Sequence, residues 1–298
     1  MRRWKAVFRL GLAVGFVALG ASFLGALHPA GDSLAVFRNY IAGAGVLWVL
    51  MGWATRVASP VWLLPLGVAV LPAFAGYTRT EYVSPDHTVT IYQKNMLRKN
   101  PDPSGLVADI RAVRPDILTM QEVPVGPTWF PDALQDILPY SHSCGRGSAG
   151  AVVVASRWPV IDGERICVSG LAALRVDGPD GPLWVASLHL RWPWPEQQAR
   201  HLDHLLPVME RMGAPTVLGG DFNMVPWSST MRRVTEALGA ERAGRVRPSF
   251  ALYRPGMLPI MRFVSLPIDH VLVPEGKRGA SELRPLLGSD HLGMVVRY

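Results

Sequence analysis

The apolar residues of this chain are concentrated in its first 77 positions, where polar side chains are few. Within the first run, Arg9 and Ser22 are the only polar side chains, and the second run has Arg38 and Asn39 near its start. A helix of about 20 apolar residues is long enough to cross the hydrocarbon core of a bilayer. The pattern therefore predicts three transmembrane helices, over residues 8–27, 34–54 and 57–76.

Basic residues flank these runs and predict their orientation. Four of them lie at the start of the chain (Arg2, Arg3, Lys5 and Arg9), and Arg56 follows the second run. Because positive loops stay in the cytoplasm, we expect a multi-pass cell-membrane protein with a cytoplasmic N-terminus and an extracytoplasmic remainder. A cleaved signal peptide is the alternative, but the first run is longer than a usual signal core and two further runs follow it.

After residue 77 the pattern changes to short strands and helices. A polar linker is predicted over residues 78–87, followed by a globular domain over residues 88–298. Strands are predicted at 88–92, 116–120, 151–156, 171–176, 183–188, 216–219, 268–273 and 294–297, and helices at 103–114, 129–138, 196–212 and 228–238. Strands that alternate with helices early and form hairpins later indicate an α/β (α+β) domain of sheets covered by helices.

Net charge and cysteine content narrow the possible partners. The chain carries +7 overall, but residues 1–77 hold six basic residues and one acidic residue. The globular part, with 24 basic and 22 acidic residues, is left at +2, which makes nucleic acid an improbable partner.

We expect Cys144 and Cys167 to be two separate buried thiols; a disulfide formed outside the cell is the alternative, worth roughly 3 kcal/mol for a loop of about 22 residues.

Carboxylate, amide and imidazole side chains recur where the predicted strands end. They are Asn95, Glu122, His189, Asp221, Asn223, Asp269, Asp290 and His291. Carboxylate and amide oxygens suit Mg²⁺, and imidazole titrates near neutral pH and can accept a proton from water. If the backbone stays extended, Asp221 and Asn223 face the same way; an Asx turn is the alternative. The series predicts metal-dependent hydrolysis of a phosphate ester.

The order of these motifs, with Gln121-Glu122, Gly220-Asp221-Phe222-Asn223 and Ser289-Asp290-His291 at strand ends, resembles the endonuclease/exonuclease/phosphatase (DNase I-like) superfamily. The resemblance covers roughly residues 88–298 and implies a four-layer α/β/β/α sandwich with the site at one end of the sheets. It also implies a divalent cofactor, Mg²⁺ or alternatively Mn²⁺. Family members often have a further acid two residues after the first Asn; here Leu97 stands there, which argues against a second metal.

The resemblance assigns a role to each candidate residue. Glu122, Asn95 and Asp290 correspond to metal ligands. His291 corresponds to the general base and Asp269 to the acid that orients it, while Asp221 positions the attacking water. His189 and Asn223 correspond to groups that bind and stabilise the phosphate. From its place after His189, Arg191 is added as a substrate-binding residue. With Trp192 and Trp194 it forms either a rim that touches lipid or a membrane surface, or a packed aromatic loop.

Three apolar helices followed by this domain resemble the teicoplanin-resistance membrane proteins of actinomycetes, which implies antibiotic resistance through a polyprenyl pyrophosphate carrier. We therefore expect a membrane-tethered phosphatase that acts outside the cytoplasm on a lipid-linked phosphate, with membrane lipids as partners. An extracytoplasmic nuclease or sphingomyelinase-like phosphodiesterase is one alternative. A catalytically inactive, membrane-anchored binding module is another. The head group, the number of metals and the oligomeric state stay open.

Overall fold

The apolar N-terminal part of the chain is helical in the computed structural model, which describes residues 2–81, 89–100, 103–124, 133–145, 150–251 and 263–298. Its helices are α1 (Arg2–Ala21), α2 (Pro29–Val36), α3 (Arg38–Ala54) and α4 (Leu63–Thr78), with a 3-10 turn, Pro60–Trp62, before α4. Two helical stretches, Arg3–Ala21 and Pro60–Thr78, are long and apolar enough to cross a membrane. The axes of helices α2 and α3 differ by 63°. This bent pair gives a third candidate span only if the two helices are counted as one.

The remaining chain forms two six-stranded sheets. The first sheet has the strand order β13-β14-β1-β2-β4-β3 and the second has the order β5-β6-β7-β8-β12-β9. The strands are β1 (Thr90–Asn95), β2 (Ile117–Val123), β3 (Tyr140–Cys144), β4 (Ala151–Ser156), β5 (Val160–Val168), β6 (Leu171–Gly178), β7 (Gly181–His189), β8 (Thr216–Asp221), β9 (Ala240–Arg242), β10 (Phe250–Ala251), β11 (Ser265–Leu266), β12 (Asp269–Pro274), β13 (Ala280–Arg284) and β14 (Gly293–Arg297). Strands β10 and β11 form a separate two-stranded ribbon.

Helices cover the outer face of each sheet. Helix α5 (Ser104–Val113) packs Leu106 and Ile110 against the first sheet. Helices α6 (Gln198–Met212) and α7 (Ser229–Leu238) cover the second sheet. A third cluster of buried aliphatic side chains fills the space between the sheets. This mixed α/β sandwich has the layer order that the sequence predicted.

Strand register brings the predicted functional positions to one end of the two sheets. In the first sheet β1 and β2 run parallel, with Asn95 opposite Gln121. In the second sheet β7 and β8 run parallel, with His189 opposite Asp221, and antiparallel β12 places Asp269 beside Asp221. Parallel neighbours end at the same edge, so these side chains meet there.

The predicted elements agree with most observed ones and miss several others. The structure adds strands β3, β5, β9, β10, β11 and β13, which have short or largely exposed sequences without a clear apolar period. Helix α6 begins two residues later than predicted. Most of the linker predicted at 78–87, residue 88 of the first strand and residues 129–132 of the helix predicted at 129–138 lie outside the described residues. The described part of that helix is helical at 133–134 and continues as a turn, so the prediction is wrong for residues 135–138.

Cys144 and Cys167 form a disulfide, so the expectation of two separate thiols is wrong. Cys144 ends β3 and Cys167 lies near the end of β5, two strands that the sequence pattern did not reveal. Strands β3 and β5 are edge strands of the first and second sheet. The disulfide therefore joins the two sheets at one side of the sandwich. Such bonds persist in oxidising compartments.

Helix α2 packs on the core of the second sheet and its helices. The carboxylate of Asp32 accepts hydrogen bonds from the backbone N–H groups of Ser229 and Thr230, at 2.8 and 2.9 Å, and so caps the first turn of α7. Ala35 and Val36 are buried in the core beneath the second sheet. These contacts explain the bend between α2 and α3, because α2 follows the domain surface.

Candidate active site

A buried imidazole and carboxylate pair forms the centre of the site. His291 Nδ1 lies 2.8 Å from Asp269 Oδ2, and both side chains are almost fully buried. The backbone N–H of Asp269 donates to Ser249 Oγ, and the His291 ring packs on Phe250 at 4.7 Å between centroids. With Nδ1 bonded to the carboxylate, Nε2 of His291 is directed into the site. This is the arrangement expected of an oriented general base.

Asp221 stands between two imidazoles. Its Oδ2 lies 3.7 Å from His291 Nε2 and 3.6 Å from His189 Nε2. Both separations exceed a direct hydrogen bond and suit a bridging water. Burial raises the pKa of Asp221, although the two histidines act against it. The carboxylate is thus placed to hold a water next to the proton-accepting nitrogen of His291.

Charge around His291 favours its protonated form. Burial disfavours the imidazolium, but the carboxylates of Asp269 and Asp221 outweigh burial and raise the pKa of His291 to about 9. Burial alone would raise the pKa of Asp269, and His291 lowers it below its usual range. A cation bound among the carboxylates would compete with the imidazolium and release a neutral base.

This pKa predicts how the stability of the metal-free protein depends on pH. Because the folded pKa of about 9 lies above the unfolded value of about 6.5, the stabilisation is complete below pH 6.5 and is lost as pH rises through 9. We expect the melting temperature in EDTA to fall over that range, by an amount corresponding to at most ~3 kcal/mol. The His291→Gln variant should lack this component, and parallel pH curves for the two proteins would contradict the assignment.

Carboxylate oxygens from both sheets converge beside Asn95. Its Nδ2 lies 3.1 Å from Glu122 Oε1 and 3.0 Å from Asp221 Oδ2, while its Oδ1 accepts from the N–H of Leu97. Rotation of the amide exchanges oxygen and nitrogen, which puts a third oxygen among the carboxylates. The donor set fits a hard cation such as Mg²⁺.

A second group with metal-binding geometry consists of Asp221, Asp269 and His291, whose donor atoms lie within 4.8 Å of one another. In this group Asp269 and His291 already bond each other, so an ion held by both would break the pair that orients the base. We therefore favour the position near Glu122 and Asn95 for the cation.

The loop after β8 differs from the extended backbone that was expected. Asn223 has φ +47°, and its N–H donates to Asp221 Oδ1 at 2.9 Å, which closes an Asx turn. The side chain is nevertheless in the site wall: Nδ2 donates to the carbonyl of Leu190, and the buried Oδ1 has no protein partner among the described residues. An unpaired buried acceptor indicates a place for a ligand or water.

The site opens through a groove of about 960 Å³. Glu122, His189 and Asn223 line its inner end, and the Cys144–Cys167 disulfide, Arg191 and Trp192 line the rest. Arg191 is exposed, as a substrate-contacting residue would be. Asp290 Oδ1 lies 4.0 Å from His291 Nε2. The structure thus brings together every candidate except Arg191 at the strand ends and places Arg191 farther along the groove.

Sequence reasoning missed several polar residues behind the site. Gln93 Nε2 donates to Asp269 Oδ1 at 3.1 Å and to Gln121 Oε1 at 2.8 Å, and Ser289 Oγ donates to the backbone carbonyl of Asn95. Lys94 is completely buried. The signal in the sequence is the run Gln93-Lys94-Asn95, three polar residues at the end of an apolar strand. Of these three, only Asn95 was predicted as a site residue.

The chain belongs to the Endonuclease/Exonuclease/phosphatase family, whose sequence model matches residues 93–291, more than half of the chain. This range includes every candidate residue of the site. Members of the family are phosphoesterase-type hydrolases that generally use a divalent metal. A search of curated proteins gave no match.

Solved structures share the fold. An endonuclease/exonuclease/phosphatase from Beutenbergia cavernae is 20% identical, with a TM-score of 0.52 and 71% of each chain covered. An AP endonuclease from Archaeoglobus fulgidus is 16% identical, with a TM-score of 0.55 over 70% of this chain and 98% of that one. TDP2 of D. rerio, complexed with a single-strand DNA product, is 14% identical, with a TM-score of 0.56 over 71% of this chain and 99% of that one. At these identities the likeness concerns the fold.

Proposed function

We propose that the protein is a membrane-tethered, divalent-metal-dependent phosphoesterase that hydrolyses a lipid-linked phosphate or pyrophosphate outside the cytoplasm. The observation that carries the hydrolytic part is the Asp269–His291 pair, directed at Asp221 and adjoining the Asn95 and Glu122 oxygens. Such a cluster provides a base, a water site and a cation site within one buried pocket.

In the proposed reaction a water lies between Asp221 Oδ2 and His291 Nε2. His291 accepts a proton from this water as its oxygen attacks phosphorus, and Asp269 stabilises the resulting imidazolium through Nδ1. The bond from phosphorus to the ester or anhydride oxygen breaks, and the lipid alcohol or phosphate leaves with that oxygen and takes up a proton. His189, on the other side of Asp221, donates to a phosphoryl oxygen. Asn223 positions substrate or water through its side-chain amide.

Glu122, Asn95 and Asp290 would hold the divalent cation, with Asp221 close by. When bound, Mg²⁺ or Mn²⁺ neutralises charge on the phosphoryl oxygens and polarises phosphorus. Asp221 and Asp269 carry negative charge beside the base, so the site without a cation would both repel phosphate and keep His291 protonated. The chain's own residues therefore make hydrolysis conditional on the cation.

Contacts between the N-terminal helices and the groove support a lipid-borne substrate. The N-terminal part contacts the loop after β7, where the His28 ring lies 6.2 Å from Trp194 and Ser33 Oγ of α2 donates to the Trp194 carbonyl. Trp192 of the same loop lines the groove. Trp192 and Trp194 are 42% and 51% exposed, as amphipathic rings at a membrane surface would be. The disulfide supports an oxidising location.

A substrate panel tests this proposal. Full-length protein in detergent is incubated with a polyprenyl pyrophosphate, a sphingolipid phosphodiester and duplex DNA, each with Mg²⁺ and with EDTA. We expect phosphate release from the pyrophosphate in Mg²⁺ and none in EDTA, and the His291→Ala variant serves as the inactive control. Cleavage of DNA alone would support the nuclease alternative, and no hydrolysis of any substrate would support the binding module.

A further inference from the structure

A lysine is fully buried next to the site, and its partners among the described residues are backbone carbonyls rather than carboxylates. Lys94 lies on β1 between Gln93, which contacts Asp269, and Asn95, which contacts Asp221. Side chains alternate across a strand, so Lys94 points away from the second sheet, on the face of the sheet where Tyr92 packs. A buried ammonium is stable only when its donors are satisfied.

Three backbone carbonyls satisfy all three N–H donors of the Lys94 ammonium. Nζ donates to the carbonyls of Pro285 at 3.2 Å, Leu286 at 2.7 Å and His291 at 2.5 Å. The first two begin the segment between β13 and β14, and the third ends it. One ammonium thus closes residues 285–291 into a loop whose last residues are Asp290 and His291.

The other contacts of this loop each hold a single point of it, among them Ser289 Oγ to the Asn95 carbonyl and the Leu292 N–H to the Ser249 carbonyl. Leu287 has φ +50° and Gly288 has φ +80°, so the chain reverses through left-handed conformations. Asn100 Nδ2 donates to the Leu287 carbonyl, and the N–H of His291 donates to Ser289 Oγ. Among the described residues, Lys94 is the side chain that joins the two ends of the loop.

We infer that Lys94 is a positioning residue for the general base: its ammonium fixes the 285–291 loop so that the His291 imidazole bonds Asp269 and faces Asp221. The catalytic part of this inference rests on the proposed function, whereas the loop geometry does not. Without the ammonium, three carbonyls would lose charge-assisted hydrogen bonds that no apolar side chain replaces. Displacement of a reacting group by about 1 Å can cost roughly 10²-fold in rate.

Hydrogen exchange tests the loop without reference to activity. Lys94→Met keeps most of the apolar stem and removes the donors. In the full chain in detergent we expect amide exchange at residues 286–292 to become at least roughly tenfold faster, with β7 and β8 unchanged. Arg284→Met is the matched control, since this cation precedes the loop, pairs with Asp109 and does not contact His291. It should leave residues 289–292 protected.

Two exchange results would overturn the inference. One is an unchanged rate at residues 286–292 in folded Lys94→Met, and the other is an increase spread evenly over both sheets, which indicates a general structural role. If Lys94→Met is not recovered folded, Lys94→Gln, which keeps two donors, takes its place and is judged by the same two results.

A double-mutant cycle tests the link to His291. We expect Lys94→Met to lower kcat by roughly 10- to 100-fold with little change in KM, and to cost little in a His291→Ala background. Losses that multiply would show that Lys94 acts independently of the base. If the wild-type chain hydrolyses no phosphoester, the proposed function fails, but hydrogen exchange still decides whether Lys94 positions the loop.

Discussion

Replacing His291 by Ala should lower turnover by roughly 10² to 10⁴, the usual contribution of one general base. Adding Asp269→Ala should then cost little more, because the carboxylate acts through the imidazole that it bonds at 2.8 Å. Residues that act as one unit show such non-additive losses. Both single variants and the double variant are to be compared at saturating Mg²⁺.

His204 gives a matched control for this cycle. It is an exposed histidine on α6 whose ring bonds the carbonyl of Arg200 in its own helix, so His204→Ala should leave turnover unchanged. If the losses of His291→Ala and Asp269→Ala multiply in the double variant, the two residues work separately and the assigned pairing is wrong.

Glu122→Gln should reduce activity by at least roughly 10²-fold, because even indirect partners of a metal site typically contribute 10- to 100-fold. The substitution keeps the shape of the side chain and its contact with Asn95 while removing the charge that attracts the cation. We expect weaker Mg²⁺ binding by calorimetry and partial recovery of rate at high Mg²⁺. The melting temperature in EDTA should change little.

Glu196 is the corresponding control, since it lines the outer part of the same groove. Glu196→Gln removes an equal charge without approaching Asn95, and both the Mg²⁺ affinity and the rate should be retained. Full activity of Glu122→Gln, or of the wild-type protein in EDTA, would exclude a cation held by Glu122.

The edge that gathers the candidate residues was predictable because the carboxylate and imidazole side chains of the series lie where apolar strands end. Asp221 and His189 follow continuous buried runs, and register then brings them together. At Asn223 the extended backbone was expected and the Asx turn was the alternative; the local hydrogen bond to Asp221 decides for the turn. The disulfide between Cys144 and Cys167 was not predictable either, because it joins edge strands β3 and β5, whose sequences show no apolar period.

Buried polar residues were harder to interpret than strand-end residues. Lys94 looks like a solvated lysine in sequence, and only the tertiary fold provides three carbonyls at one point. Asp32 lies between apolar runs and gives no sign of a partner almost 200 residues away in the chain. In both cases the hydrogen bonds that stabilise the buried charge come from residues far away in the chain, and a local sequence pattern does not contain that information.

The docking of α2 also bears on how the hydrolytic half can be isolated. A fragment starting after the apolar helices would lose Asp32 from the first turn of α7 and would uncover the core surface that Ala35 and Val36 fill. It would also lose the carbonyl of Ala35, to which Trp227 donates at 2.9 Å, four residues beyond Asn223. We therefore expect a fragment that retains helix α2 to be more stable than one that starts after it, and kinetics measured on the shorter fragment to reflect a perturbed loop after β8.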